Sequence, residues 1–340
     1  MSEQFPNLSD LLPEKFKSNL TEAEKKLLAA TQLGVEANYS SEVEEANNPA
    51  CASTWGNDRI LRADFIRWLC IDKKCADFID PKVVLIIGAK ISGALDFMSC
   101  SLQMPLAMIR CSLENIDFTN ASANAILLYQ SVVKSITASA LNTKGRVSIE
   151  GISTTGRVEL MAANIGGDLI AARAILKNKG GKAFSADGLT TKGNVYLDGV
   201  SAEGEVRFLS ANIGANLYAH GANFKNEGGC AFNADGLSAK GNVYLDRTPD
   251  GIGMTAEGEV RFLGANIGAN LYAHGAILKN KDGNAFSADN LSIKGNVFLE
   301  DATAEGEVRF LSASVGGDLI ANRRFSKINL VMPSEPIVYP

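Results

Sequence analysis

The chain is poor in the residues that most functional signatures are built from. Histidine and tryptophan each occur only twice in 340 residues, and proline nine times. Two histidines cannot build a histidine-rich metal centre, and the six cysteines, at 51, 70, 75, 100, 111 and 230, include no CxxC pair of the zinc-binding kind. No stretch reaches 18 apolar residues, so no membrane-spanning helix is expected; the longest apolar run, Val83–Ala89, has the length of a strand. The opening residues, MSEQFPNLSDLLPEKFK, contain no apolar run fit for a signal peptide. A glycine-rich phosphate loop, a dinucleotide fingerprint and a GxSxG nucleophile elbow are all missing, so no cofactor is expected. With 46% hydrophobic residues the chain is too apolar to be disordered.

Charge is also lacking where it would be diagnostic. The net charge is −5, and residues 1–80 carry all of it, with 9 Lys and Arg against 14 Asp and Glu; residues 81–340 carry 24 against 24. Bulk charge therefore supplies no footprint for nucleic acid. Cysteines without a pairing pattern suit a reducing compartment, and the cytoplasm is the expected location.

Glycine is abundant, with 32 residues, and most of it follows an internal period. From Lys192 the sequence reads KGNVYLDGVSA, EGEVRFLSANI, GANLYAHGANF and KNEGGCAFNADGLSA, blocks of 11, 11, 11 and 15 residues. The same set starts at Lys144, recurs from Lys240 with six extra residues around RTPDGIGMT, and fades after a partial copy from Lys294. Apolar residues take positions 4, 6, 9 and 11 of each 11-residue block, as in Val195, Leu197, Val200 and Ala202, and the 15-residue block keeps the pattern shifted by four, at Phe232, Ala234, Leu237 and Ala239. Pairs two apart, separated by short polar steps, are not helical; they describe very short strands joined by tight corners.

Repeating that unit builds an all-β solenoid. The rule extends upstream to residue 81, and residues 114–143 form blocks of ten, with five residues per face as in pentapeptide-type coils. The 48-residue set holds eight faces, or two whole coils of four, so equivalent residues stack in register. The expected fold is a right-handed, four-sided, pentapeptide-like parallel β-helix of about ten coils, roughly 50 Å long at the strand spacing. Residues 1–80 should form a helical cap with a polar loop, residues 81–326 the β-helix, and residues 327–340 a tail or second cap.

Within the cap, Thr21 and Glu24 make a capping box for a helix near 21–33, closed by Gly34. Residues 35–57 read as a polar loop. Asp58 should cap a second helix over 58–71, with Leu61, Phe65, Trp68 and Leu69 on the side that covers the first coil.

Candidate surfaces come from columns of outward residues. Tyr196 and Tyr244 share position 5 of one block, with Phe298 next in line, and Tyr218 and Tyr272 share position 5 of another. Such stripes suit a protein or sugar contact, and equally the β-propensity of exposed strands. The inserts KNKGG, KNEGG and KNKDG place Lys177, Lys179, Lys225, Lys279 and Lys281 on a locally basic ridge, and the loop at Arg247 interrupts the same rod. Departures from a repeat are where partner contacts gather. His220 and His274 share position 7 two coils apart, too far to hold one metal, and read as a corner residue copied with its repeat. Glu205 with Arg207, Glu259 with Arg261 and Glu307 with Arg309 read as a solvated charge lattice. Cys100 and Cys111 occupy inward positions without a disulfide partner, and Cys51, Cys70 and Cys75 belong to the cap.

The segment DRILRADFIRWLCIDKKCADFIDPKVVLIIGAKISGALDF, followed by GxVxL and IGGDL blocks, resembles a bacterial family of pentapeptide-like β-solenoid proteins. Some of its members carry the name membrane-associated oxidoreductase. The resemblance covers residues near 57–113 well and the repeats generically, since bactofilin-like solenoids share the GxVxL blocks. It implies the solenoid fold; no redox residues accompany it here, so the activity is not carried over. The expected function is a non-catalytic repeat scaffold that presents a rigid side face to a protein partner. The alternatives are a self-assembling structural solenoid and a carbohydrate-binding or carbohydrate-cleaving β-helix. The oligomeric state is left open.

Overall fold

Alternation within a strand sends the two residues of each apolar pair to the same side, and in this chain that side is the inside of a coil. The computed structural model describes residues 8–321 together with the backbone of Ile328–Asn329. It is a parallel β-solenoid of about eleven coils, and among the described residues helices occur only near the N-terminus. The coils are counted as rungs on one face, from Val84–Ile87 (rung 1) to Leu319–Ala321 (rung 11). The step between rungs runs from 20 residues, between Leu106 and Ile126, to 28, between Val243 and Leu271.

Four faces are visible in the register. Ile126 lies beside Val147 on face 1, Val133 beside Thr154 on face 2, Ile136 beside Val158 on face 3, and Thr143 beside Ile165 on face 4. Faces 2 and 3 merge where a strand such as Val132–Thr137 bends through the corner between them. Inside, the fill alternates from rung to rung. Face 3 shows Phe184 and Ala186, then Val206 and Phe208, then Phe232 and Ala234, then Val260 and Phe262, all buried. Successive rings contact at 5.5 to 6.0 Å along this zigzag. Staggering large against small keeps a narrow coil filled, which gives the 48-residue unit its physical basis.

The glycines divide into two kinds. Some occupy corners with positive φ, such as Gly199 at 62°. Others permit close approach between rungs: a Cβ on Gly214, whose φ is not positive, would collide with the Lys192 carbonyl oxygen. Left-handed corners therefore account for only part of the glycine content.

At the N-terminal end, α1 is Glu14–Lys17 and α2 is Glu22–Leu33, with the expected capping box at Thr21 and Glu24 and a left-handed Gly34. The segment read as a polar loop contains a strand, β1 (Ala37–Asn38), which pairs with β3 (Val84–Ile87) of rung 1. The helix expected over 58–71 begins only at Ala63. Residues Ile60–Arg62 form β2, parallel to β4 (Lys90–Ser92), and α3 spans Ala63–Ile71. The first coil leaves backbone donors and acceptors unpaired, and pairing them outweighs helix propensity at Ile60 and Leu61. Leu61 is thus a buried strand residue, whereas Phe65, Trp68 and Leu69 pack from α3 as expected. Phe16 of α1 meets Phe65 at 5.2 Å and Trp68 at 6.0 Å. A short helix α4, Lys73–Ala76, leads into rung 1.

Two arginines fasten this cover. Arg62 holds Glu24, which is fully buried, through Nε and Nη2 at 2.6 Å each. Arg59 lies 3.6 Å from the Trp55 ring centre and donates to the Gly88 carbonyl. Most of the tail 327–340 lies outside the described residues, and Ile328–Asn329 pairs with Val308 and Arg309.

Candidate functional site

Face 1 is where the outward columns converge. On rungs 6 to 10 the residues between the inward pairs are Tyr196, Tyr218, Tyr244, Tyr272 and Phe298. The sequence separated them into two stripes; the coil merges them into one column on consecutive rungs. Their centroids are 4.9 to 5.0 Å apart and their planes 1 to 7° from parallel. Ring faces cover one another, so mainly ring edges remain for a visitor.

An amide ladder borders the rings. Asn194 Oδ1 accepts from the Asn216 backbone N–H at 3.1 Å, Asn216 from Asn242 at 2.7 Å, and Asn242 from Asn270 at 3.0 Å. Asp168 starts the ladder and Asp318 ends it. Asn216 Nδ2 also donates to the Tyr218 hydroxyl at 2.9 Å, so amides and rings lock each other in place. Asp168, Asn194, Asn216, Asn242, Asn270, Asn296 and Asp318 thus form one column on rungs 5 to 11.

On the other border the two histidines prove to be part of a longer column. Asp198, His220, Asp246, His274 and Glu300 occupy the same position on rungs 6 to 10. His220 Nδ1 lies 2.6 Å from Asp198 Oδ1, and its Nε2 lies 3.1 Å from Asp246 Oδ1 without hydrogen-bond alignment. His274 Nε2 lies 3.0 Å from Glu300. The bond to Asp198 raises the His220 pKa against the opposing cost of burial. Burial raises that of Asp246, with His220 pulling the other way. The acids were legible as position 7 of the intervening blocks, the same position as the histidines.

The loop Arg247–Met254 leaves this border at rung 8. Arg247 reaches Asp301 at 2.9 Å, and Thr248 accepts from the Ile252 N–H at 3.1 Å. The lysine inserts lie elsewhere, on the corner between faces 2 and 3. Lys177, Lys179, Lys225, Lys279 and Lys281 are all exposed there. Each insert folds over a glycine of the next rung, as Asn178 and Gly181 do over Gly204. The ridge is of mixed charge, because Glu203, Glu257 and Glu305 stand in register with Lys177, Lys225 and Lys279. The basic character expected there is offset by these neighbours, and the structure does not bring the ridge together with the tyrosine column.

The remaining columns are occupied within the rod. Arg207, Arg261 and Arg309 pair with Asp187, Asp235 and Asp289 at 2.6 to 2.8 Å, and Arg207 and Arg261 also lie 3.6 and 3.9 Å from Glu205 and Glu259 on their own strands. All six cysteines are free; burial pushes the Cys70 and Cys75 thiols up to about 12 and that of Cys111 to about 11. Cys100, expected in the core, is half-buried, with Arg67 Nη2 3.3 Å from its sulfur. Among the described residues no cluster of three or more His, Cys, Asp or Glu could hold a metal ion, and no helix is long and apolar enough to cross a membrane.

Fold and surface define a four-faced parallel β-solenoid with a laddered side face. Compared with models of protein families, with curated proteins and with solved structures, the chain gives no match.

Proposed function

We propose that the chain is a non-catalytic scaffold whose face 1 docks a protein partner. The observation that carries this reading is the continuous column of five aromatic rings held between an amide ladder and an acid–histidine ladder. Rigid aromatic side chains whose conformational freedom is already spent in the fold are the residues that protein interfaces favour. A reducing compartment such as the cytoplasm suits six unpaired thiols. The likeness of residues 57–113 to the bacterial pentapeptide-like solenoids is in keeping with this reading and supplies no activity.

The carbohydrate alternative is less favoured. A sugar stacks on the face of an aromatic ring, and within this column the faces are occupied by neighbouring rings. Affinity capture from cell extract with the full chain tests the proposal. The expected result is a stoichiometric protein partner that is lost from the double variant Tyr218→Ala, Tyr244→Ala and kept when the ridge lysines are neutralised. Capture that ignores the tyrosines, or turnover of a substrate by the purified protein, would overturn it.

A further inference from the structure

The borders of face 1 carry a charge pattern that is complementary to itself. Lys192, Lys240 and Lys294 stand at the corner where rungs 6, 8 and 10 enter face 1, and Asp198, Asp246 and Glu300 stand where the same rungs leave it. Rung 4 repeats the arrangement with Lys144 and Glu150. The intervening rungs 5, 7 and 9 have glycine at the entering corner, at Gly166, Gly214 and Gly268. The four lysines are exposed and none has an ion-pair partner among the described residues. Across the face, then, an exposed lysine row runs parallel to a row of half-buried acids, about 9.6 Å from one to the next along each; the acids also meet Arg173, His220 and His274 of the intervening rungs, which leaves their outer edges for a partner's lysines.

We propose that face 1 pairs with face 1 of a second copy, the two rods lying side by side and parallel about a two-fold axis that runs along them. This rests on the reading of face 1 as a docking face and names its occupant. An axis along the rods brings the lysine border of one copy onto the acidic border of the other, and each rung meets its own number. Lys240 of each copy then stands by Asp246 of the other, and the same holds on rungs 4, 6 and 10. An axis across the rods makes them antiparallel and sets lysine against lysine, which charge repulsion disfavours. The aromatic column runs along the middle of the face, where the two copies meet ring edge to ring edge. The loop Arg247–Met254 stands on the acidic border with Ile252 62% exposed, and it meets the partner's lysine border, to which its exposed Asp250 is complementary.

Seven rungs at the strand spacing give about 34 Å of length, and the face with its borders is roughly 18 Å wide, so each copy covers on the order of 600 Å². The total of about 1,200 Å² is at the lower limit for a specific interface, so the dimer should be concentration-dependent.

Sedimentation equilibrium of the full chain at neutral pH and low ionic strength tests this. The expected result is a reversible equilibrium between the 36.1 kDa chain and its dimer. The variant Lys192→Glu, Lys240→Glu, both exposed sites, should dimerise about tenfold more weakly or worse while unfolding at the same temperature. A spin label on exposed Cys51, with Cys100 and Cys230 replaced by serine, reports direction. Parallel rods give a label separation shorter than the rod length of about 50 Å, and antiparallel rods a longer one. A monomer at all concentrations, a dimer indifferent to the lysine reversals, or the longer separation would each overturn the proposal. A strict monomer that still captures another protein through Tyr218 and Tyr244 would overturn it and leave the docking reading standing.

Discussion

Single side chains decide how the cap holds and how the rod responds to pH. Glu24 is fully buried, and its charge is met by Arg62, so Arg62→Ala leaves a carboxylate stranded in the cap. The expected cost is about 3–5 kcal/mol, read as a lower urea midpoint for loss of the cap signal. An unchanged midpoint would show that the Thr21 N–H, which donates to Glu24 at 3.1 Å, holds the carboxylate without a counter-charge. His220 titrates above its ordinary value of 6.5 because Asp198 binds the protonated ring. The folded state therefore holds that proton more tightly than the unfolded chain. Its contribution is complete below 6.5 and disappears as pH rises through the raised value. Asp246, raised from 3.8 by burial, has the same sign in a lower window, since its proton too is favoured by folding. Urea unfolding at about pH 6 and about pH 8 should show wild-type stability falling with pH, and His220→Gln should flatten that slope. An equal slope in both proteins would remove His220 from the explanation.

At the scale of elements, the strands were legible and the ends were not. Positions 4, 6, 9 and 11 of the 11-residue blocks from Lys192 are inward in the structure, as Val195, Leu197, Val200 and Ala202 show. A period of two is a local signal, and stacking copies it faithfully from rung to rung. Ile60–Arg62 defeated the same reasoning, because its conformation is set by an edge that only the assembled first coil provides. The aromatic column was half legible: each stripe was visible, but not that a coil of 22 to 28 residues interleaves them. The acid–histidine column needed the same three-dimensional step. The lysine inserts are additions to a closed coil, and the inward residues Phe224 and Phe232 flank one of them without depending on it. Deleting Asn226–Gly229 restores the spacing of the rung before it. The midpoint is expected to stay within about 1 kcal/mol of wild type, since closing a shorter surface loop changes little. A collapse in stability would show that the bulge over Gly258 is structural.

At the scale of the whole molecule, the rod has one end sealed by β1, β2 and the helices, and its long sides differ in character. Three sides show exposed polar or mixed-charge columns; among the described residues face 1 alone carries the aromatic ladder, between a lysine border and an acid–histidine border. Raising ionic strength should weaken the proposed pairing, because the lysine border is exposed and screened by salt. The docking role of face 1 is tested most directly by hydroxyl-radical footprinting of the chain, first dilute and alone, then in complex with whatever it binds, a second copy included. The account expects oxidation of Tyr218, Tyr244 and Tyr272 to fall several-fold in the complex while the exposed Met98 and Met161, away from face 1, are unchanged. Unchanged tyrosines, with protection appearing at the lysine ridge instead, would contradict it.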